Sequence, residues 1–150
     1  MGTEDRIIRC NQCGTRNRVP AAKLADKPIC GKCRVPLPSA ATGPVVVTDA
    51  TFNEQITRFP GPVMLDCWAP WCGPCQQMAP VLNQLAAAYA GVVKIAKLNV
   101  DQNPQVSSQF NVLSVPTLLF FNGGRLVNTV PGAAPKQEME RHLNTLAGGN

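Results

Sequence analysis

The sequence predicts an α/β domain, a mixed sheet with helices on both faces, preceded by a small zinc-ribbon-like module built on four cysteines. Three observations predict it. From position 45 onward, short β-branched or apolar runs alternate with stretches of helical periodicity, the pattern of strands crossing over through helices. Cys-x-x-Cys occurs three times, twice before position 40 and once between an apolar run and a helical stretch. A Pro/Ala/Gly-rich stretch separates two regions of different composition. The expected division is a module over 1–38, a linker over 39–44 and a domain over 45–150.

Composition bounds the reading further. Residues 1–43 contain no aromatic side chain and carry eight of the fourteen Lys and Arg against three acidic residues, so the formal charge of +5 lies in this segment. The remainder balances six basic with six acidic residues and holds all the Phe, Trp and Tyr. The start of the chain mixes Glu4, Asp5, Arg6 and Arg9 with only Ile7 and Ile8, unlike an export signal. No apolar run approaches the ~20 residues of a membrane span. The expectation is a cytoplasmic protein away from membranes, where seven cysteines point to metal and redox chemistry rather than a disulfide framework.

In chain order, Cys10-x-x-Cys13 and Cys30-x-x-Cys33 come first, sixteen residues apart, with Gly14 and Gly31 each beside a cysteine. Two such turns aim four sulfurs at one tetrahedral ion, the pattern of structural zinc; the alternative is four reduced thiols in a flexible tail. A segment of about forty residues with few large aliphatics cannot hold itself together by burial alone. Zinc can supply on the order of 10 kcal/mol of folding free energy. With all four ligands sulfur, no position is open for catalysis. Nucleic acid is an unfavoured partner, because four thiolates around Zn²⁺ take the +5 to +3 and no aromatic is present to stack on a base.

In the second region a strand is expected over 45–47, a helix over 49–59 capped by Thr48 or Asp49, and a buried strand over 63–68. A long helix follows over 74–89, with Leu82, Leu85, Ala86 and Tyr89 on one face, Pro80 kinking it and Gly91 ending it. Further expectations are a strand over 92–100, a short helix over 104–110, a hairpin of 117–121 and 126–130 around Asn122-Gly123-Gly124, and a last amphipathic helix over 135–146. His142 on that helix is expected to be solvated.

The candidate chemistry lies at Trp71-Cys72-Gly73-Pro74-Cys75. A dithiol between strand and helix can open and close in catalysis. Cys72 falls at the first helical turn, where unpaired N–H groups and the positive end of the dipole favour a thiolate, so it is the attacking sulfur. Cys75, one turn on and more buried, is the resolving sulfur. Asp66 lies between Leu65 and Cys67 in a strand covered on both faces, where desolvation raises a carboxyl pKa toward neutrality; the other possibility is an Asp at an exposed strand end.

The run Leu65-Asp66-Cys67-Trp68-Ala69-Pro70-Trp71-Cys72-Gly73-Pro74-Cys75, then Ala79-Pro80, Lys97-Leu98-Asn99-Val100-Asp101, Val115-Pro116-Thr117 and Asn122-Gly123-Gly124, resembles the thioredoxin family in motif and order over about 45–147. The resemblance implies a protein-disulfide reductase whose redox-active disulfide is Cys72–Cys75, recharged by an NADPH-dependent thioredoxin reductase and acting as a monomer on disulfide-containing proteins. It implies that Asp66 serves Cys75 as a base through water, and that Lys97 tunes Asp66. It implies a cis bond before Pro116, with the backbone of Val115 pairing with substrate as an added strand. Trp71, Gly73, Pro74, Val115, Pro116, Gly132 and Ala133 would form the apolar patch that receives the substrate. Cys67 stands where the family usually has a bulky aromatic, leaving less volume beneath the site, and Pro70 where relatives are often polar or acidic. A competing function class is an interaction protein, a zinc-dependent redox sensor or holdase; an oxidase of exported proteins would need the export signal that the start of the chain does not resemble.

Overall fold

The computed structural model describes residues 5–148. Strands β1 (Arg6–Arg9) and β2 (Arg16–Val19) form an antiparallel hairpin, followed by a 3-10 turn at Ala21–Asp26 and a bridge between Ile29 and Pro36. Ile8, Val19 and Leu37 are buried with Cys10 and Cys30, a small apolar cluster wrapped around sulfur.

The second region holds a five-stranded sheet of β3 (Val45–Val46), β4 (Pro62–Trp68), β5 (Lys94–Asn99), β6 (Thr117–Asn122) and β7 (Arg125–Pro131), in the order β3-β5-β4-β6-β7. β5 runs parallel to β3 and β4, whereas β6 is antiparallel to β4 and β7. Helices α1 (Gly73–Ala88), α2 (Pro104–Gln109) and α3 (Lys136–Gly148) complete it. No helix among the described residues is long and apolar enough to cross a membrane.

Period-two alternation divides the interior into two cores. Met64, Ile95, Leu118 and Phe120 face α1 and α3, packing on Met78, Leu82, Leu85, Met139 and Leu143. Val63, Leu65, Cys67, Ala96, Leu98, Leu119 and Phe121 face the opposite way, onto Phe52, Ile56, Phe59 and Val106. Asp66 therefore shares the α1 face of β4 with Met64, while Cys67 points into the other core. Cys67, where the family usually has a bulky aromatic, is fully buried in this second core.

The helix expected over 49–59 is shorter and wider, a π-helical turn at Asn53–Thr57 in which Arg58 N–H donates to Asn53 O at 2.8 Å. Of the two expected caps, Thr48 makes the reciprocal bonds of a capping box with Thr51: Thr48 N–H donates to Thr51 Oγ1 (2.9 Å) and Thr51 N–H reaches Thr48 Oγ1 (3.3 Å). Asp49 does not cap this segment. Its carboxylate accepts from Gln105 N–H (3.1 Å) and Val106 N–H (2.9 Å), capping α2 from 56 residues away in sequence.

Pro80 lies within α1, where it cannot donate to the carbonyl of Gln76. His142 is half-buried rather than solvated, its ring 5.3 Å from that of Phe120. The turn after β6 needs its glycines: Gly124 has φ +83°, and a Cβ there would lie 2.1 Å from the carbonyl oxygen of Thr57. Gly124→Ala is expected to lower unfolding free energy by about 2 kcal/mol or more, read from urea midpoints; an unchanged midpoint would show that the turn relaxes freely.

The first region packs against the edge of the second. Arg9 N–H donates to Gly91 O at 2.9 Å, and a Cβ on Gly14 or Gly91 would meet the Pro60 ring at 2.2 Å or Ile8 Cγ2 at 2.7 Å. The close approach requires glycine at both positions.

Candidate functional site

The sequence Cys72-Gly73-Pro74-Cys75 forms the start of α1. Cys72 is its N-cap, with extended backbone (φ −88°, ψ 111°), and its Sγ accepts from Cys75 N–H at 3.2 Å. Pro74 in the first turn loses no intrahelical bond, since its missing N–H would have had no partner. Cys72 and Cys75 are joined in a disulfide, Cα atoms 5.2 Å apart. Both are 4% exposed, so Cys75 is not the more buried of the two in this oxidised state. With the bond open, the Cys75 N–H and the helix dipole would both favour negative charge on Cys72 Sγ.

Asp66 is 3% exposed, and its Oδ1 has no hydrogen-bond partner among the described residues. Burial pushes its carboxyl up to about 7, with Lys97 pulling it back only in part. The register explains Lys97: Asp66 and Lys97 are directly paired across the parallel β4–β5 ladder, on the face covered by α1, the helix that carries Cys75. Lys97 Nζ sits 5.9 Å from the centre of the Trp68 ring. The exposed-strand-end alternative for Asp66 is thereby set aside.

The surface around the dithiol is apolar. Ala69, Cys72 and Cys75 form a buried cluster against Trp68, Val100 and Val115. Trp71 is 71% exposed and is held by its Nε1–H donating to Asp101 Oδ2 at 3.0 Å, an anchoring role for Asp101 that only the folded contact reveals. The Val115–Pro116 bond is cis. Gly132 N–H donates to Pro116 O at 2.8 Å, bringing Gly132 and the adjacent Ala133 to the same end of the sheet. Among the described residues Val115, half-buried, forms no backbone–backbone hydrogen bond. Gly73 and Pro74 are exposed, and nothing lies within 4 Å of where a Gly73 Cβ would be. Leu113, 86% exposed two residues before Val115, was not singled out by the sequence, because a lone Leu in a loop carries no pattern.

A second constellation lies in the first region. The Sγ atoms of Cys10, Cys13, Cys30 and Cys33 all lie within 4.8 Å of one another, with Cys10–Cys33 and Cys13–Cys30 at 3.6 Å. Four thiolates ~2.3 Å from a tetrahedral Zn²⁺ would sit roughly 3.8 Å apart, so the residues fit that ion. Two matching loops present them. Cys10 N–H donates to Thr15 O and Cys30 N–H to Val35 O, at 2.9 and 2.8 Å, while the N–H groups of Gln12 and Lys32 point at the sulfurs of Cys10 and Cys30 at 3.3 and 3.4 Å. The left-handed positions closing the loops are Gly14 (φ +77°) and Arg34 (φ +71°), not Gly31. Gly31 instead donates its N–H to Asn17 Oδ1 at 2.9 Å, and the same amide directs Nδ2 at Cys30 Sγ (3.5 Å). Asn17 thus ties the hairpin to the second loop. Burial opposes ionisation of Cys30, yet the N–H groups of Cys33 and Lys32 and the Asn17 amide outweigh it and bring that thiol down to about 6, whereas burial pushes the Cys10 thiol up to about 12.

Residues 43–145 match the family model described as Thioredoxin, and residues 9–35 match a zinc-ribbon model described as Thioredoxin 2, N-terminal. The chain is 48% identical over 101 residues to Thioredoxin 1 of Nostoc sp. (strain PCC 7120 / SAG 25.82 / UTEX 2576), covering 65% of this chain and 94% of that protein. It is 50% identical over 99 residues to Thioredoxin of Alicyclobacillus acidocaldarius subsp. acidocaldarius, covering 66% and 93%. To Thioredoxin C-3 of Corynebacterium nephridii it is 40% identical over 138 residues, covering 92% and 93%, so that similarity reaches into the four-cysteine module.

Proposed function

Because the chain belongs to the thioredoxin family and is therefore a protein-disulfide oxidoreductase, we propose that it works as a reductase of protein disulfides through Cys72 and Cys75, with a structural zinc on Cys10, Cys13, Cys30 and Cys33. The observation that carries this is Cys72 at the N-cap of α1, within disulfide reach of Cys75 and beside the exposed Trp71. The division into a zinc module over 1–38, a linker over 39–44 and a catalytic domain over 45–150 belongs to the same proposal, as does a monomer in the reducing cytoplasm.

In the reduced chain the Cys72 thiolate attacks one sulfur of a target disulfide. A Cys72–substrate S–S bond forms as the target bond breaks, and the first substrate thiolate leaves. Cys75 gives its proton, through water, to the Asp66 carboxylate and attacks Cys72 Sγ; the intramolecular disulfide closes and the second substrate sulfur departs as a thiolate, which takes up a proton from solvent as Asp66 gives its own back. Two electrons have moved from the chain to the substrate. Lys97 holds the Asp66 pKa near neutrality, where the carboxylate can both take and return the proton. Trp71, Gly73, Pro74, Gly132 and Ala133 give the target an apolar seat, and Val115 with Pro116 aligns its backbone by strand addition. Zinc would supply no chemistry to this exchange. It would hold the two cysteine loops together.

The test is recharging. With NADPH, thioredoxin reductase and insulin, the oxidised chain is expected to support NADPH oxidation in step with insulin reduction. No NADPH consumption by a folded, zinc-replete chain would remove the reductase reading and favour an interaction protein.

A further inference from the structure

Lys94 is a buried cation that the exchange chemistry does not use. It lies at the start of β5, 2% exposed, on the opposite face from Lys97. Its Nζ donates to Gln55 O (3.0 Å) and Gln55 Oε1 (2.6 Å) and stands 4.2 Å from the centre of the Phe59 ring. Among the described residues no carboxylate forms an ion pair with it. An ammonium buried this deeply is costly unless charge opposes it. Burial pulls it down to about 8, so negative charge nearby would favour its protonated form.

Its surroundings are those of the docked cysteine module. Gln55, its hydrogen-bond partner, lines a cleft with Asn11 and Gln12, the residues that follow Cys10. The Cys10–Gly14 loop ends against Pro60, next to the Phe59 ring that Lys94 covers. A four-thiolate zinc centre carries a net −2, and Gln12, whose N–H points at Cys10 Sγ, lines the same cleft as Gln55, the residue that holds the Lys94 ammonium.

We propose that Lys94 is the buried counter-charge of the zinc-thiolate centre, positioned by Gln55 and Phe59 so that metal occupancy and docking of the module onto the catalytic domain reinforce one another. The inference rests on the reading of the four cysteines as a zinc site. Loss of zinc or of the lysine removes one half of the attraction. A neutral residue at 94 leaves the −2 centre facing low-dielectric protein, and zinc should be held less tightly.

The experiment follows zinc transfer from the reduced full-length chain to a chelating dye in excess. Lys94→Met and Lys94→Gln are both expected to release zinc on the order of tenfold faster than wild type, the order of effect that one desolvated opposite charge has on a −2 centre. Lys94→Arg, which keeps the charge, should stay within about threefold of wild type. Replacing a buried ammonium by an apolar side chain of similar length is commonly tolerated by a fold, and Lys94→Gln keeps polarity should Lys94→Met fail. Release at the wild-type rate from either folded neutral variant, or release as fast from Lys94→Arg as from the neutral ones, overturns the proposal. A wild-type chain that holds no zinc at all would instead overturn the metal reading beneath it.

Discussion

Cys72→Ser is expected to abolish insulin reduction, with turnover falling at least about a thousandfold, while Cys75→Ser stops turnover at a different point. The difference follows from position. Cys72 Sγ caps α1 and accepts from Cys75 N–H, so it is the sulfur that can be anionic at neutral pH; serine there cannot attack a disulfide. In Cys75→Ser the attack still occurs, but no thiol closes the ring, and a mixed disulfide between Cys72 and the target accumulates. Mass spectrometry after non-reducing electrophoresis reads both results. A trapped complex from Cys72→Ser and none from Cys75→Ser would reverse the assignment of roles.

Asp66→Asn is expected to make the oxidised chain more stable at pH 8 and slower as an enzyme. The folded carboxyl titrates at about 7 against an ordinary 3.8, chiefly because it is buried. Since the folded pKa is the higher one, the folded state binds the extra proton, so the stabilising contribution is complete below pH 3.8 and is lost as pH rises toward 7. Above that, the wild type carries a buried charge that Lys97 offsets only in part, worth about 4 kcal/mol of destabilisation, which asparagine does not have. Urea unfolding of the oxidised proteins should show the stability gap widening by about 2–3 kcal/mol between pH 5 and pH 8 and then levelling. Turnover should fall roughly tenfold to a hundredfold, at the low end for a general base because water can also take the proton. The wild-type resolving step should rise through pH 7, while the variant shows no such rise. A gap that stays constant with pH would mean that Asp66 is ionised across the whole range.

The elements that carry the site were legible because they rest on local signals. The apolar run of β4, the Gly-Pro turn and the spacing of Leu82, Leu85 and Ala86 place Cys72 at the start of α1 without tertiary information. Four cysteines in two matched pairs likewise announced one cluster. What escaped the sequence was decided at long range. Asp49 reads as the cap of its own segment, yet it serves α2; Asp101 anchors Trp71 across thirty residues; His142 finds Phe120 only once α3 lies on the sheet. Lys94 carries no motif, and its link through Gln55 to the cleft lined by Asn11 and Gln12 arises only in the fold.

The most direct measurement is the pH dependence of alkylation in the fully reduced, zinc-loaded chain, with modified positions located by peptide mapping. If the start of α1 makes Cys72 a thiolate, iodoacetamide should modify Cys72 at pH 6 at least about tenfold faster than an ordinary thiol of pKa ~8.5, with Cys75 following only at higher pH. Modification of Cys72 at the rate of an unperturbed cysteine, or of Cys75 ahead of it, would contradict the account.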